Sequence, residues 1–153
     1  MNFANIRNNE IIDFNSQYLD EDITRVTTTE DMYRAYQEDR NKVIYQDGEI
    51  ILNPNYEEEH AQKERERIGN LNLTGADVER GIYQAKGMDF DDILAFVMAN
   101  PPQGLDVKAL KIELKANHFY RGNPYIDTIG GLLGFTSEQL DKFFETNDPQ
   151  CLK

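Results

Sequence analysis

The sequence predicts an α+β fold in three parts. A β-hairpin-rich N-terminal half covers residues 1–53, an exposed charged connector helix covers 54–69, and a compact C-terminal bundle of short helices covers 70–148. Three observations predict it. Asp47-Gly48 stands between the β-branched runs Val43-Ile44 and Ile50-Ile51, the dipeptide that best suits a two-residue hairpin turn. Between Tyr56 and Ile68 the only apolar residue is Ala61, so a helix here has no stripe to dock on a core. From Leu71 onward, helix caps and helix stops alternate at short intervals.

Each element has a local reason. Phe3, Ile6, Ile11, Ile12 and Phe14 flank Asn8-Asn9, whose tolerance of positive φ suits a tight turn between short strands. Thr29 is placed to cap a short helix through Met32, Tyr33 and Tyr36, with Glu30 and Asp31 in its first turn. Pro54 suits the first position of the connector helix, where a missing N–H removes no bond. Glu57, Glu58 and Glu59 then sit at the positive end of its dipole, and Lys63, Arg65 and Arg67 at the negative end. Glu59 and Lys63 are four apart in the favourable order.

In the C-terminal part, Thr74 caps a helix carrying Val78 and Ile82 that stops at Gly87. Asp89 caps the next, with Phe90, Ile93, Leu94 and Val97 inward until Pro101-Pro102. Asp106 starts a third through Val107, Leu110 and Leu114 that ends near Arg121-Gly122. A fourth carries Ile126, Ile129, Leu132 and Leu133 to Gly134, and Thr136 with Gln139 forms a capping box for a fifth with Leu140, Phe143 and Phe144. Helices this short are unstable alone and must pack together. Cys151 is read as lying in a frayed C-terminal segment.

Charge narrows the function. The 153-residue chain has a formal net charge of −12, which disfavours direct nucleic-acid binding and adhesion to anionic membranes. Basic partners, or a protein surface that normally holds nucleic acid, stay open through electrostatic steering. One cysteine gives no intrachain disulfide, which fits a reducing compartment. Glu10, Asp13 and Asp20 argue against a signal peptide, and no apolar run reaches a membrane-spanning length. The expectation is a protein made in the cytoplasm.

No motif carries catalytic chemistry. Glu57-x-x-His60 has the spacing that di-metal bundles use, but the second histidine, His118, has Lys115 where a glutamate would be needed. Asp89 and Asp92 fit the N-cap and N3 positions of a helix better than a calcium loop, which needs alternating ligands and a closing Glu. Gly130-Gly131 precedes no Lys-Ser or Lys-Thr and suits close helix approach instead of phosphate binding. The pair 126–133 and 139–144 has helix-turn-helix spacing, yet Glu138, Asp141 and Glu145 on its second helix would repel phosphates. No cofactor and no metal are expected. His118-Phe119-Tyr120-Arg121-Gly122-Asn123-Pro124-Tyr125 is an aromatic-plus-arginine cluster, the composition of binding hot spots, with a helix-to-helix turn as the plainer use.

Several stretches resemble a loose group of small phage and prophage proteins usually encoded near tail genes. They are the Asp47-Gly48 hairpin leading into Asn53-Pro54, the run Lys63-Glu64-Arg65-Glu66-Arg67-Ile68, and Leu71-Asn72-Leu73-Thr74. Phe119-Tyr120-Arg121-Gly122-Asn123-Pro124, Ile126-Asp127-Thr128-Ile129-Gly130 and Phe143-Phe144-Glu145-Thr146-Asn147-Asp148 continue the likeness, which spans most of residues 43–148. The resemblance implies a phage or prophage origin and location in the host-cell cytoplasm or the virion. It carries over no catalytic residue.

The expectation is therefore a non-enzymatic protein that binds other proteins, in assembly or attachment of a tail, fibre or baseplate. The rival expectation is an acidic inhibitor of a host defence nuclease, of the anti-CRISPR type, engaging a nucleoprotein effector. Partner-binding candidates are Tyr56, Glu57, Glu58, Glu59, Arg65, Arg67, Tyr120, Arg121 and Tyr125, with the acidic loop Asp20-Glu21-Asp22 added under the rival reading. Exposed hairpin edges leave a homo-oligomer open as well.

Overall fold

The computed structural model describes residues 1–17 and 20–153. The fold mixes helix and strand, with small antiparallel sheets in the N-terminal half and several short helices C-terminally. The chain divides into two compact units, residues 1–62 and 63–153.

In the first unit, β1 (Asn2–Arg7), β2 (Glu10–Phe14) and β3 (Thr24–Thr28) form an antiparallel sheet in the order β2-β1-β3. The β1–β2 turn is Asn8-Asn9, with φ of 53° and 66°, a left-handed pair that asparagine tolerates. Register slips once between Asn5 and Ile6. The side chain of Asn5, fully buried beside this bulge, donates to Asp13 Oδ1 at 2.6 Å and to the Ser16 carbonyl at 2.9 Å. Helix α1 (Glu30–Glu38) is capped by Thr29, whose Oγ1 accepts from Met32 N–H. Next comes the hairpin of β4 (Val43–Gln46) and β5 (Glu49–Leu52), turned by Asp47-Gly48 at φ of 52° and 90°. Ala4, Ile6, Phe14, Val43 and Ile50 make a five-residue core, covered by Met32, Tyr33 and Tyr36 of α1. The Phe14 ring lies 4.5 Å from that of Tyr36. β3 was not singled out by the sequence, because Thr24-Arg25-Val26-Thr27-Thr28 holds one apolar residue and only Val26 and Thr28 are half-buried.

Helix α2 runs from Tyr56 to Gly69 and has no buried residue, as its polar sequence implies. It starts two residues later than Pro54 suggests. Pro54 and Asn55 form a turn instead, in which Asn53 Oδ1 accepts from Asn55 N–H.

In the second unit, β6 (Asn72–Thr74) leads into α3 (Gly75–Lys86), capped by Thr74 and ended by Gly87 at φ 71°. Helix α4 (Phe90–Ala99) carries the Asp89–Asp92 capping box, and α5 (Val107–Glu113) is capped by Asp106. Residues 118–120 then correct the expected helix-to-helix turn. His118-Phe119-Tyr120 is a strand, β7, paired antiparallel with β6 so that Leu73 faces Phe119. Helix α6 (Pro124–Leu133) and α7 (Ser137–Thr146) follow, α7 with its Thr136–Gln139 capping box.

The core gathers Val78, Ile82, Ile93, Val97, Leu110, Phe119, Ile126, Ile129, Leu140, Phe143 and Phe144 among others. Two glycines permit close packing. A Cβ on Gly130 would meet Leu140 Cδ1 at 2.5 Å, and one on Gly81 would overlap the Phe143 ring. The C-terminal segment is not frayed. Pro149–Leu152 forms a 3₁₀ turn against α3 and α7, with Leu152 buried and Cys151 packed on the core. No helix among the described residues is long and apolar enough to cross a membrane.

Candidate functional site

The exposed surface of α2 is the first candidate. Residues 57–67 are all exposed, eleven in succession. At its start, Asn53 Nδ2 donates to the Asn41 carbonyl and to Glu59 Oε2, both at 3.1 Å. Tyr56 is half-buried, and its hydroxyl donates to Asp39 Oδ2 at 3.0 Å while Lys42 Nζ lies 5.7 Å from its ring centroid. The Asn41 backbone N–H, with help from Tyr56, the Asn41 side chain and nearby His60, holds the Asp39 carboxyl below the ordinary aspartate range. Burial, and then the Asp39 carboxylate, push the Tyr56 phenol above its usual range. Tyr56 is thus an anchor of the helix start as well as a candidate contact.

At the other end, Arg67 binds Glu64 at 2.7 Å and Glu145 at 2.8 Å. These bonds, Glu64 first, raise the affinity of the guanidinium for its proton. The Gly69 carbonyl accepts from Gly122 N–H at 3.0 Å, and a Cβ on Gly122 would come within 3.2 Å of the Gly69 Cα.

The aromatic-arginine cluster separates into unlike parts. Tyr120 is 54% exposed on β7. Tyr125 is half-buried and lines a shallow pocket of about 290 Å³ with Leu105, Asp106, Pro124 and Thr128. Arg121 does not join them on the surface. Its side chain is 6% exposed, with Nε 2.6 Å from Asp141, Nη1 2.9 Å from Asp127 and Nη2 donating to Ser137 Oγ at 2.8 Å. A guanidinium has five N–H donors in one plane, and here that fork ties the β7–α6 turn to α6 and α7.

The acidic loop is also partly spent internally. Asp20 and Asp22 both pair with Arg7, at 2.7 Å and 2.9 Å. Arg7 is held above its usual range by Asp22 first and then Asp20. Among the described residues no group of three or more His, Cys, Asp or Glu side chains is arranged to hold a metal. The enclosed cavity in the second unit has a volume of about 20 Å³ and an apolar wall that includes Val78, Phe119 and Phe143.

One feature escaped sequence reasoning. In the first unit an open groove of about 660 Å³ lies between β2 and β4, with Tyr36 and Arg40 on its lining. No local signal marks it, because its walls come from two hairpins about thirty residues apart. Comparison of the chain with protein-family models, curated proteins and solved structures found no significant match.

Proposed function

We propose that this is a non-enzymatic phage or prophage protein that works by binding other proteins, in assembly or attachment of a tail, fibre or baseplate component. The observation that carries the reading is α2. Eleven successive helical residues face water while Tyr56 and Arg67 are each fixed by bonds to neighbouring residues. A helix polar all round gains nothing from a core, so its exposed surface suits contact with a partner. The resemblance of residues 43–148 to proteins encoded near tail genes supplies the setting. Glu57, Glu58, Glu59 and Arg65 are the primary contact residues, with Tyr120 and Tyr125 as further, separate contacts.

Charge supports a second reading, an acidic inhibitor that occupies the nucleic-acid channel of a host defence nuclease. The net charge is −12. With Asp20 and Asp22 paired to Arg7, the contact set for this reading narrows to Glu57–Glu59.

The test is affinity capture from infected host lysate with the native chain and with a Glu57/Glu58/Glu59→Ala variant. Phage structural proteins retained by the native chain and lost by the variant are the expected result. A nucleoprotein effector, released steeply by salt, would favour the second reading. Capture unchanged in the variant would remove α2 as the contact surface.

A further inference from the structure

We propose that the groove between β2 and β4 accepts an extended, acidic segment of a partner protein by strand addition. Among the described residues, β2 is an edge of its three-stranded sheet and β4 pairs with β5 alone. Both hairpins close on two-residue turns, so Arg7 with Glu10 and Gln46 with Glu49 are the pairs that exchange hydrogen bonds. Alternation along an antiparallel ladder then directs the N–H and C=O of Ile11, opposite Ile6, and of Tyr45, opposite Ile50, away from their hairpin partners. The Asn53 N–H bond to the Lys42 carbonyl at 2.8 Å keeps the same alternation in the second hairpin. Both residues line the groove, whose volume is in the ordinary range for ligand sites. Unpaired strand edges of this kind are templates for an incoming extended chain.

Charge selects the occupant. Residues 1–62 hold five basic side chains, Arg7, Arg25, Arg34, Arg40 and Lys42, among fourteen acidic ones. Arg7, Arg34 and Lys42 have carboxylate partners. Arg40, which lines the groove, has none among the described residues. Its guanidinium lies 5.6 Å from the Tyr36 ring centroid and donates to the Ile12 carbonyl at 3.3 Å. The remaining donors can take a carboxylate with charge-assisted bonds. Glu10 also lines the groove and repels an acidic group near it, so the segment's carboxylate belongs beside Arg40. The proposal rests on this unit alone and does not depend on the role of α2.

The test is selection of a displayed library of random twelve-residue peptides against the full chain. Binding is then measured by fluorescence polarisation, and contacts are mapped by amide shifts. The expected peptides carry Asp or Glu at a fixed position, shift the Ile11 and Tyr45 amides, and bind the Arg40→Gln variant about tenfold more weakly. Arg40 is exposed, so the variant keeps the fold, and its amide spectrum checks this. No enrichment, binding unaffected by Arg40→Gln, or shifts confined to other residues would each overturn the proposal. A dimer in light scattering that Arg40→Gln dissolves would also overturn it, assigning the groove to a second copy.

Discussion

Arg121→Ala separates a packing role from a binding role. The native side chain is 6% exposed, and its two carboxylate partners differ: Asp141 is 32% exposed and Asp127 is 59% exposed. Removing one member of a buried ion pair costs about 3–5 kcal/mol when the other charge stays dry. Here both carboxylates reach water and rehydrate, which brings the expected loss to about 2–3 kcal/mol. Asp141→Asn weakens the 2.6 Å bond to Nε and should cost about 1–2 kcal/mol. Asp127→Asn acts on an exposed partner and should cost less than about 1 kcal/mol. Urea titration followed by the amide peaks of Leu110, Phe119 and Phe143 reads the second unit directly. The order Arg121→Ala, then Asp141→Asn, then Asp127→Asn is the prediction. A loss below about 1 kcal/mol for Arg121→Ala, or a larger cost for Asp127→Asn than for Asp141→Asn, would refute it. Normal stability with lost partner capture would return Arg121 to the contact surface.

Four further outcomes follow from the geometry. Gly81→Ala places a methyl in the Phe143 ring and should destabilise by about 1–3 kcal/mol in thermal unfolding, despite alanine's better helix propensity. Gly131→Ala meets nothing within 4 Å on the exposed side of α6 and should instead raise stability by about 0.5–1 kcal/mol. Asp39 is held below its ordinary value of 3.8, so its contribution is present above that pH and is lost as pH falls through the lower folded value. Tyr56→Phe removes one of the stabilising bonds, and a carbon-detected carboxyl titration should show the Asp39 pKa moving back toward 3.8; an unchanged titration would mean that the hydroxyl bond has no hold on Asp39. The Glu57/Glu58/Glu59→Ala variant should unfold within about 1 kcal/mol of the native chain, because the dipole benefit it loses is partly offset by alanine's propensity. A larger loss, measured by circular dichroism, would make those glutamates structural.

The parts of this molecule that were legible in sequence are those whose cause lies within a few residues. Asn8-Asn9 and Asp47-Gly48 announce hairpins because positive φ is a local demand that few residues meet. Thr29, Thr74, Asp89, Asp106 and Thr136 announce helix starts because each side chain accepts from a backbone N–H two or three residues on. The β6–β7 pair was not legible, since three-residue strands carry no period and their partners lie far apart in the chain. The burial of Arg121 was not legible for the same reason. Nothing near it distinguishes a binding arginine from a buried one, because Ser137 and Asp141 lie sixteen and twenty residues on. The consequence reaches the functional reading. A net charge does not say where charge sits, and a carboxylate held by an internal cation is less available to a partner. Arg7 takes Asp20 and Asp22, Arg67 takes Glu64 and Glu145, and Arg121 takes Asp127 and Asp141. Charge-driven recognition must therefore be sought where the fold leaves charge exposed on ordered backbone. That condition points to the Glu57–Glu59 turn for a basic partner and, with the opposite sign, to Arg40 in the β2–β4 groove.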